Sequence, residues 1–219
     1  MKILDYKIIF WDFDGVIKES VNIKTEAFAD LFVNFGTDIV EKIKVHHISN
    51  GGMSRFRKIP LYASWVGLTL DETELIHYSN KFSELVVNKV INAEWVPGVE
   101  QVLRSNFYEQ KFVLISATPD DELKFIVESL NLTNCFELIF GSSISKSDAM
   151  LKSLNLLNEN PKNCLMFGDA LADYEASKIN NIEFILRQHD SNDKMNNIHS
   201  GIKIKNFLNY ESIRADFKN

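Results

Sequence analysis

Apolar residues along this chain follow two patterns. Short, predominantly apolar runs of strand length, at 7–13, 112–115, 136–140, 164–167 and 182–186, alternate with stretches in which apolar residues return every three or four positions. A strand that is apolar at successive positions is buried on both faces, as in a parallel sheet covered by helices. Such strands alternating with helical stretches predict an α/β fold with a doubly wound parallel sheet. Asp120 or Asp121 is placed to cap a helix running through Asn131, and Ser147 or Asp148 the helix near Leu151.

The interval after the first run departs from this alternation. Ala27, Leu31, Phe32 and Phe35 have the spacing of one helix face, as do Leu75, Tyr78, Phe82, Leu85 and Val86, and no strand-like run occurs among them. A connection this long predicts a small helical domain, residues 16–94, inserted into an α/β core made of 1–15 and 95–219. Trp95-Val96-Pro97-Gly98 marks the return to the core.

Composition narrows the class. The 219 residues suffice for one core, or a core with an insert. The net charge of −6 argues against a nucleic-acid footprint, which needs a basic face. No apolar run approaches the roughly 18 residues of a membrane span, and the N-terminus has no apolar signal core. Cys135 and Cys164 lie in apolar strand-like context and read as buried free thiols of a cytoplasmic protein. The five histidines are scattered, so no Ser-His-Asp or Cys-His arrangement and no Cys/His metal cluster emerges. His46 and His47 read as surface or packing residues of the insert, Trp11 as core packing beneath the strand ends, and Trp65 and Trp95 as packing of the insert and hinge.

Chemistry enters at the strand ends. The first run stops at Asp12-Phe13-Asp14-Gly15; carboxylates cannot sit unpaired inside such a sheet, and belong just past its edge. Ser116, Ala117 and Thr118 follow the second run, Lys146 the third, and Asp169 and Asp173 the fourth. In a parallel sheet these ends share one edge and converge on one crevice. Clustered carboxylates repel unless a hard cation such as Mg²⁺ joins them. A hydroxyl and a lysine beside that cation suit a phosphate. One aspartate can then attack phosphorus, and the other can protonate the leaving alcohol and activate water.

Asp12-Phe13-Asp14-Gly15-Val16, Ser116, the isolated Lys146 and Gly168-Asp169-Ala170-Leu171-Ala172-Asp173 resemble, in order, the four motifs of the haloacid dehalogenase (HAD) superfamily. The position of the helical insert is similar to that of the subfamily containing phosphoglycolate phosphatases and β-phosphoglucomutases. The resemblance implies a Rossmann-like core with a helical cap, a nucleophile at Asp12 and a general acid/base at Asp14. It implies phosphate binding by Ser116, Ala117 and Lys146. It implies Mg²⁺ held by Asp12, Asp169 and the backbone carbonyl of Asp14, with Asp173 supporting the metal or Lys146. Dehalogenases of the family lack the second aspartate of the first motif, so Asp14 points to phosphate esters. Ala170 stands where many relatives have serine, and Lys18-Glu19-Ser20 replaces a common Val/Thr-Asp-Ser/Thr.

The insert is expected to select the substrate. In 46–58 two glycines, Gly51 and Gly52, permit a ligand-hugging loop, Ser54 can cap the next helix, and Arg55 can fork onto a phosphate or carboxylate. Gly52-Met53-Ser54-Arg55 is similar to the cap loop of β-phosphoglucomutase-like enzymes. Gly52, Ser54, Arg55 and Lys58 are thus the expected specificity residues, for a small phosphorylated metabolite such as a sugar phosphate or phosphoglycolate. The sequence expectation is a Mg²⁺-dependent phosphatase, monomeric or a small homo-oligomer, with a sugar-phosphate mutase and a non-catalytic binding protein on the same fold as alternatives.

Overall fold

The computed structural model describes residues 2–213, for Asn196 the backbone only; Met1 and 214–219, at the two ends of the expected core segments, lie outside the described residues. Six strands form one sheet: β1 (Ile8–Trp11), β2 (Lys111–Ile115), β3 (Leu138–Phe140), β4 (Cys164–Gly168), β5 (Glu183–Arg187) and β6 (Lys203–Ile204). Their order is β3-β2-β1-β4-β5-β6 and every pairing is parallel. The chain builds outward from β1 in one direction and then returns to its other side. That reversal puts a crevice at the carboxyl ends of β1 and β4, where open α/β sheets bind ligands.

The apolar runs explain the sheet. Successive side chains point to opposite faces, and both faces are covered. Ile9, Trp11, Phe112, Leu114, Leu165 and Phe167 enter one core, and Ile8, Phe10, Val113, Ile115, Met166 and Leu186 the other. Trp11 packs on Phe112, Phe167 and Phe207 beneath the strand ends, as its sequence position suggested. The second face is closed by α7 (Lys146–Leu157), α8 (Leu171–Ile179) and α9 (Asp193–Ile198), through residues such as Met150, Leu154, Ala176 and Met195. On the first face lie α5 (Val99–Ser105) and α6 (Asp120–Ser129), through Leu103, Leu123 and Ile126. Cys135 and Cys164 are free thiols.

Between β1 and β2 the chain forms α1 (Val21–Asp30), α2 (Thr37–Ser49), α3 (Arg55–Trp65) and α4 (Glu72–Ile91). Phe28, Phe32, Ile43, Tyr62, Phe82 and Val86 make their shared core. The two connections to the sheet run side by side: Val96 N donates to Ile17 O and Glu19 N to Glu94 O. α4 begins with a capping box, Asp71 accepting from Glu74 N and Glu74 from Asp71 N.

Several local expectations are corrected. α6 starts at Asp120 and ends at Ser129, short of Asn131. Neither Asp120 nor Asp121 caps it: Asp120 accepts from the backbone N–H groups of Gly141 and Ser143 and ties α6 to the end of β3. α7 is capped by Ser145 Oγ, which accepts from Asp148 N; Ser147 and Asp148 lie inside the helix. Ser54 precedes α3, but its side chain makes no cap bond. Phe35 lies past the end of α1 in a short 3₁₀ turn and is exposed, because Gly36 ends that turn before the face can continue. The strands at 7–13 and 136–140 are shorter than their apolar runs. Among the described residues no helix is long and apolar enough to cross a membrane.

Candidate active site

The carboxyl ends of the strands deliver the polar residues to one place. After β1 the chain turns immediately: Ile17 N donates to Phe13 O and Gly15 N to Lys18 O. Gly15 holds φ at +73°, and a Cβ there would meet Asp169 Oδ2 at 2.6 Å. Only glycine lets the β1 turn and the β4 end come this close. Asp12, Asp169 and Asp173 are all buried, and each offers a carboxylate oxygen within 4.8 Å of the others.

One lysine sits in this group. Lys146 Nζ lies 3.0 Å from Asp12 Oδ1 and 2.5 Å from Asp173 Oδ1. Asp173 also accepts from Ala170 N, so the first turn of α8 fixes it; Ala170 itself has no side chain to cap that turn. Burial pushes the Asp12 carboxyl well above the usual carboxylate range; Asp173, Asp169 and Asp14 push it further, while Lys146 pulls it back. Burial also raises Asp173 against the pull of Lys146. Burial disfavours charge on Lys146, yet Asp12 and Asp173 together raise its pKa. Three carboxylates against one ammonium leave an excess of negative charge, and an all-oxygen donor set of this kind fits a hard divalent cation such as Mg²⁺.

The carboxylate of Asp14 stands outside that group. Its Oδ1 accepts from Ser20 Oγ at 2.6 Å, and its Oδ2 lies 2.5 Å from Lys24 Nζ. Lys24 also donates to Thr118 Oγ1 at the end of β2, linking α1 to the sheet edge. Ser116 is buried; its Oγ accepts from Thr118 N, which leaves its O–H to donate. On the far side of the metal-ligand candidates, His189 Nε2 meets Asp169 Oδ2 at 2.9 Å and Asn192 donates to the Asp169 carbonyl.

The helical segment forms one wall of the crevice. A cavity of about 40 Å³ is bordered by Asp12, Asp14, Asp169 and Lys146 from the sheet edge and by Phe28, His47, Lys58 and Phe82 from the helices. That is room for a few water molecules. A Cβ on Gly52 would come within 2.4 Å of Ala172 Cβ, so this loop rests directly on α8. Arg55 forks onto a carboxylate, as its position allowed, but the carboxylate belongs to the protein. Its Nη1 and Nη2 lie 2.9 and 2.5 Å from the two oxygens of Glu122 on α6. Ser83 and the face of Phe82 complete the Arg55 surroundings. Lys58 is fully buried and meets His47 Nδ1 at 2.9 Å. His46 contacts the Tyr62 hydroxyl and packs with Tyr62 and Trp65.

Sequence reasoning brought together Asp12, Asp169, Asp173 and Lys146, with Asp14 and Ser116 beside them. It missed Lys24, Glu122 and His189, and the pairing of Glu19 with Arg187. His189 carried a signal: it follows the fifth apolar run, where the earlier runs also deliver polar residues. Lys24 and Glu122 are helix charges, Arg187 a strand charge and Glu19 a turn charge, and nothing in the sequence separates them from solvated ones.

A family model described as haloacid dehalogenase-like hydrolase matches residues 6–179. A phosphoglycolate phosphatase of Aquifex aeolicus (strain VF5) is 33% identical over 88 residues, which cover 38% of this chain and 40% of that protein. The chain thus aligns with less than half the length of this curated relative. The crystal structure of β-phosphoglucomutase from Clostridium difficile superposes with a TM-score of 0.73 at 21% identity, covering 92% of this chain and 91% of that one. CbbY from Rhodobacter sphaeroides, in complex with xylulose-(1,5)bisphosphate, superposes with a TM-score of 0.74 at 13% identity, over 95% and 100% of the two chains. At these identities the structures testify to the fold.

Proposed function

The chain belongs to the haloacid dehalogenase-like hydrolase family, and from that premise we propose that it is a Mg²⁺-dependent phosphatase of small phosphate monoesters. The observation that carries the reading is Lys146 Nζ lodged between Asp12 and Asp173, with Asp169 in the same buried carboxylate group. A structural role alone does not explain three buried carboxylates gathered beside one lysine that contacts two of them, since their repulsion costs stability.

In this reading residues 16–94 are a cap over a core of 1–15 and 95–219. Asp12, Asp169 and Asp173, with the carbonyl of Asp14, would hold Mg²⁺. That ion would supply charge neutralisation between the carboxylates and a phosphate. The Ser116 hydroxyl, the Ala117 amide and Lys146 bind the phosphate oxygens. A carboxylate oxygen of Asp12 attacks phosphorus, and the bond from phosphorus to the alcohol oxygen breaks. Asp14 gives that oxygen its proton. Water then attacks the aspartyl-phosphate, Asp14 takes the proton of the water, and Asp12 and phosphate are released. Ser20 and Lys24 fix the orientation of the Asp14 carboxylate. The helices border the cavity on one side, and their closer approach over a bound substrate would exclude bulk water. Gly52, Ser54, Arg55 and Lys58 contribute to this closure and to selection.

Phosphate release from p-nitrophenyl phosphate with Mg²⁺, lost in Asp12→Asn, tests the proposal; a fully active Asp12→Asn would overturn it. The mutase alternative drew on Gly52-Met53-Ser54-Arg55, and here Arg55 is engaged by Glu122. Free phosphate, rather than a 6-phosphate, is the expected product from a hexose 1-phosphate.

A further inference from the structure

Four basic side chains border the cavity, and three have carboxylate partners. Lys146 lies between Asp12 and Asp173, Lys24 on Asp14, and Arg55 on Glu122. Lys58 is the fourth. It is fully buried, yet among the described residues it meets no carboxylate: its Nζ has His47 Nδ1 at 2.9 Å and the Phe28 ring, 5.3 Å to the centroid. An ammonium carries three donors, and buried lysines are normally paired with an anion. The anion missing from this cluster would have to arrive with a ligand.

We propose that Lys58, oriented by His47, is a subsite for a second acidic group of the substrate, so that the preferred substrate is a phosphate monoester also bearing a carboxylate or second phosphate. This rests on the phosphatase reading. It also separates the two expected cap residues: Arg55 fastens the cap to α6 through Glu122, and Lys58 holds the distal anion. Burial and the charges of Lys58 and Lys24 keep His47 well below its usual pKa. Its ring is therefore neutral, and Nδ1 accepts from Lys58. The charged groups that act on Lys58 from the neighbouring elements are Lys24 and Lys146, which oppose its charge, and Asp14 and Asp169, which favour it. An anion bound at Nζ adds to the second pair. His47 is a positioning residue, since it acts through Lys58.

The test uses three small phosphate esters with different distal groups: phosphoglycolate with a carboxylate, a small sugar bisphosphate with a phosphate, and glycerol 3-phosphate with only hydroxyls. The wild-type enzyme with Mg²⁺ should favour the first two over the third by about tenfold or more in kcat/KM, carried by KM. The ratio between the two favoured esters tells which anion the subsite takes. Lys58→Met should shrink the preference to about threefold or less, and His47→Gln should reduce it partway. The same preference should appear in calorimetric binding to Asp12→Asn and vanish in Asp12→Asn combined with Lys58→Met. Equal handling of all three esters by the wild type, or an equal loss on all three in Lys58→Met, would overturn the subsite. Absence of phosphate release from every ester would instead sink the phosphatase reading, while binding to Asp12→Asn would still decide on the subsite.

Discussion

Arg55 on α3 and Glu122 on α6 form a two-pronged ion pair that bridges the helical segment and the sheet domain, 67 positions apart in sequence. Both side chains are nearly buried, at 3% and 10% exposure. Removing one member of such a pair strands the other charge away from water and costs about 3 kcal/mol. Glu122→Gln should therefore lower the melting temperature by several degrees. Adding Arg55→Met should recover most of that loss, because the stranded charge is gone. An unchanged melting temperature in Glu122→Gln would show that the pair contributes little.

Lys58 gives a pH dependence whose sign is fixed. Burial, aided by Lys24, lowers its pKa to about 7, whereas a lysine in the unfolded chain titrates near 10.4. Between about pH 7 and 10 the unfolded chain binds the extra proton, so this group makes stability rise with pH across that window. Below about pH 7 its penalty is fully present. Lys58→Met removes the penalty. In urea titrations without phosphate the variant should exceed the wild type by a few kcal/mol near pH 6, with the gap closing toward pH 10. A gap that does not change with pH contradicts this assignment.

Metal removal should separate repulsion from binding. EDTA is expected to abolish turnover and Mg²⁺ to restore it. Saturating Mg²⁺, at about a hundred times its Kd, should stabilise the wild type by about 2.7 kcal/mol. Asp169→Asn should melt no lower than the wild type in EDTA, since a carboxylate leaves a crowded group, yet gain little from Mg²⁺. A variant stabilised by Mg²⁺ as much as the wild type would remove Asp169 from the ligand set.

Much of this arrangement was legible in the sequence because burial leaves a strong local trace. Runs such as Ile8–Trp11 and Cys164–Gly168 are apolar at every position facing either core, and the residues that break them are the ones at the crevice. The long helical interval likewise anticipated the four helices α1–α4 between β1 and β2. Helix starts slipped by one to three residues because Ser145, Ser147 and Asp148 are nearly equivalent as caps, and only the chain's path chooses among them. β6 has two residues, too few for any periodicity. Lys24 with Asp14 and Arg55 with Glu122 were not readable because they depend on how the helices dock over the sheet edge, nor was Lys58 with His47, which depends on how α3 packs on α2. The fork of Arg55 predicts a carboxylate partner, and that partner is Glu122 of the chain itself.

The central claim is that Asp12 carries the phosphoryl group during turnover. Rapid acid quenching of the Mg²⁺-loaded enzyme with a phosphorus-radiolabelled substrate, followed by peptide mapping, tests it most directly. Transient label is expected on the peptide containing Asp12, absent in Asp12→Asn and longer-lived in Asp14→Asn. Steady turnover with no label on the protein, or with label on a different residue, would contradict it.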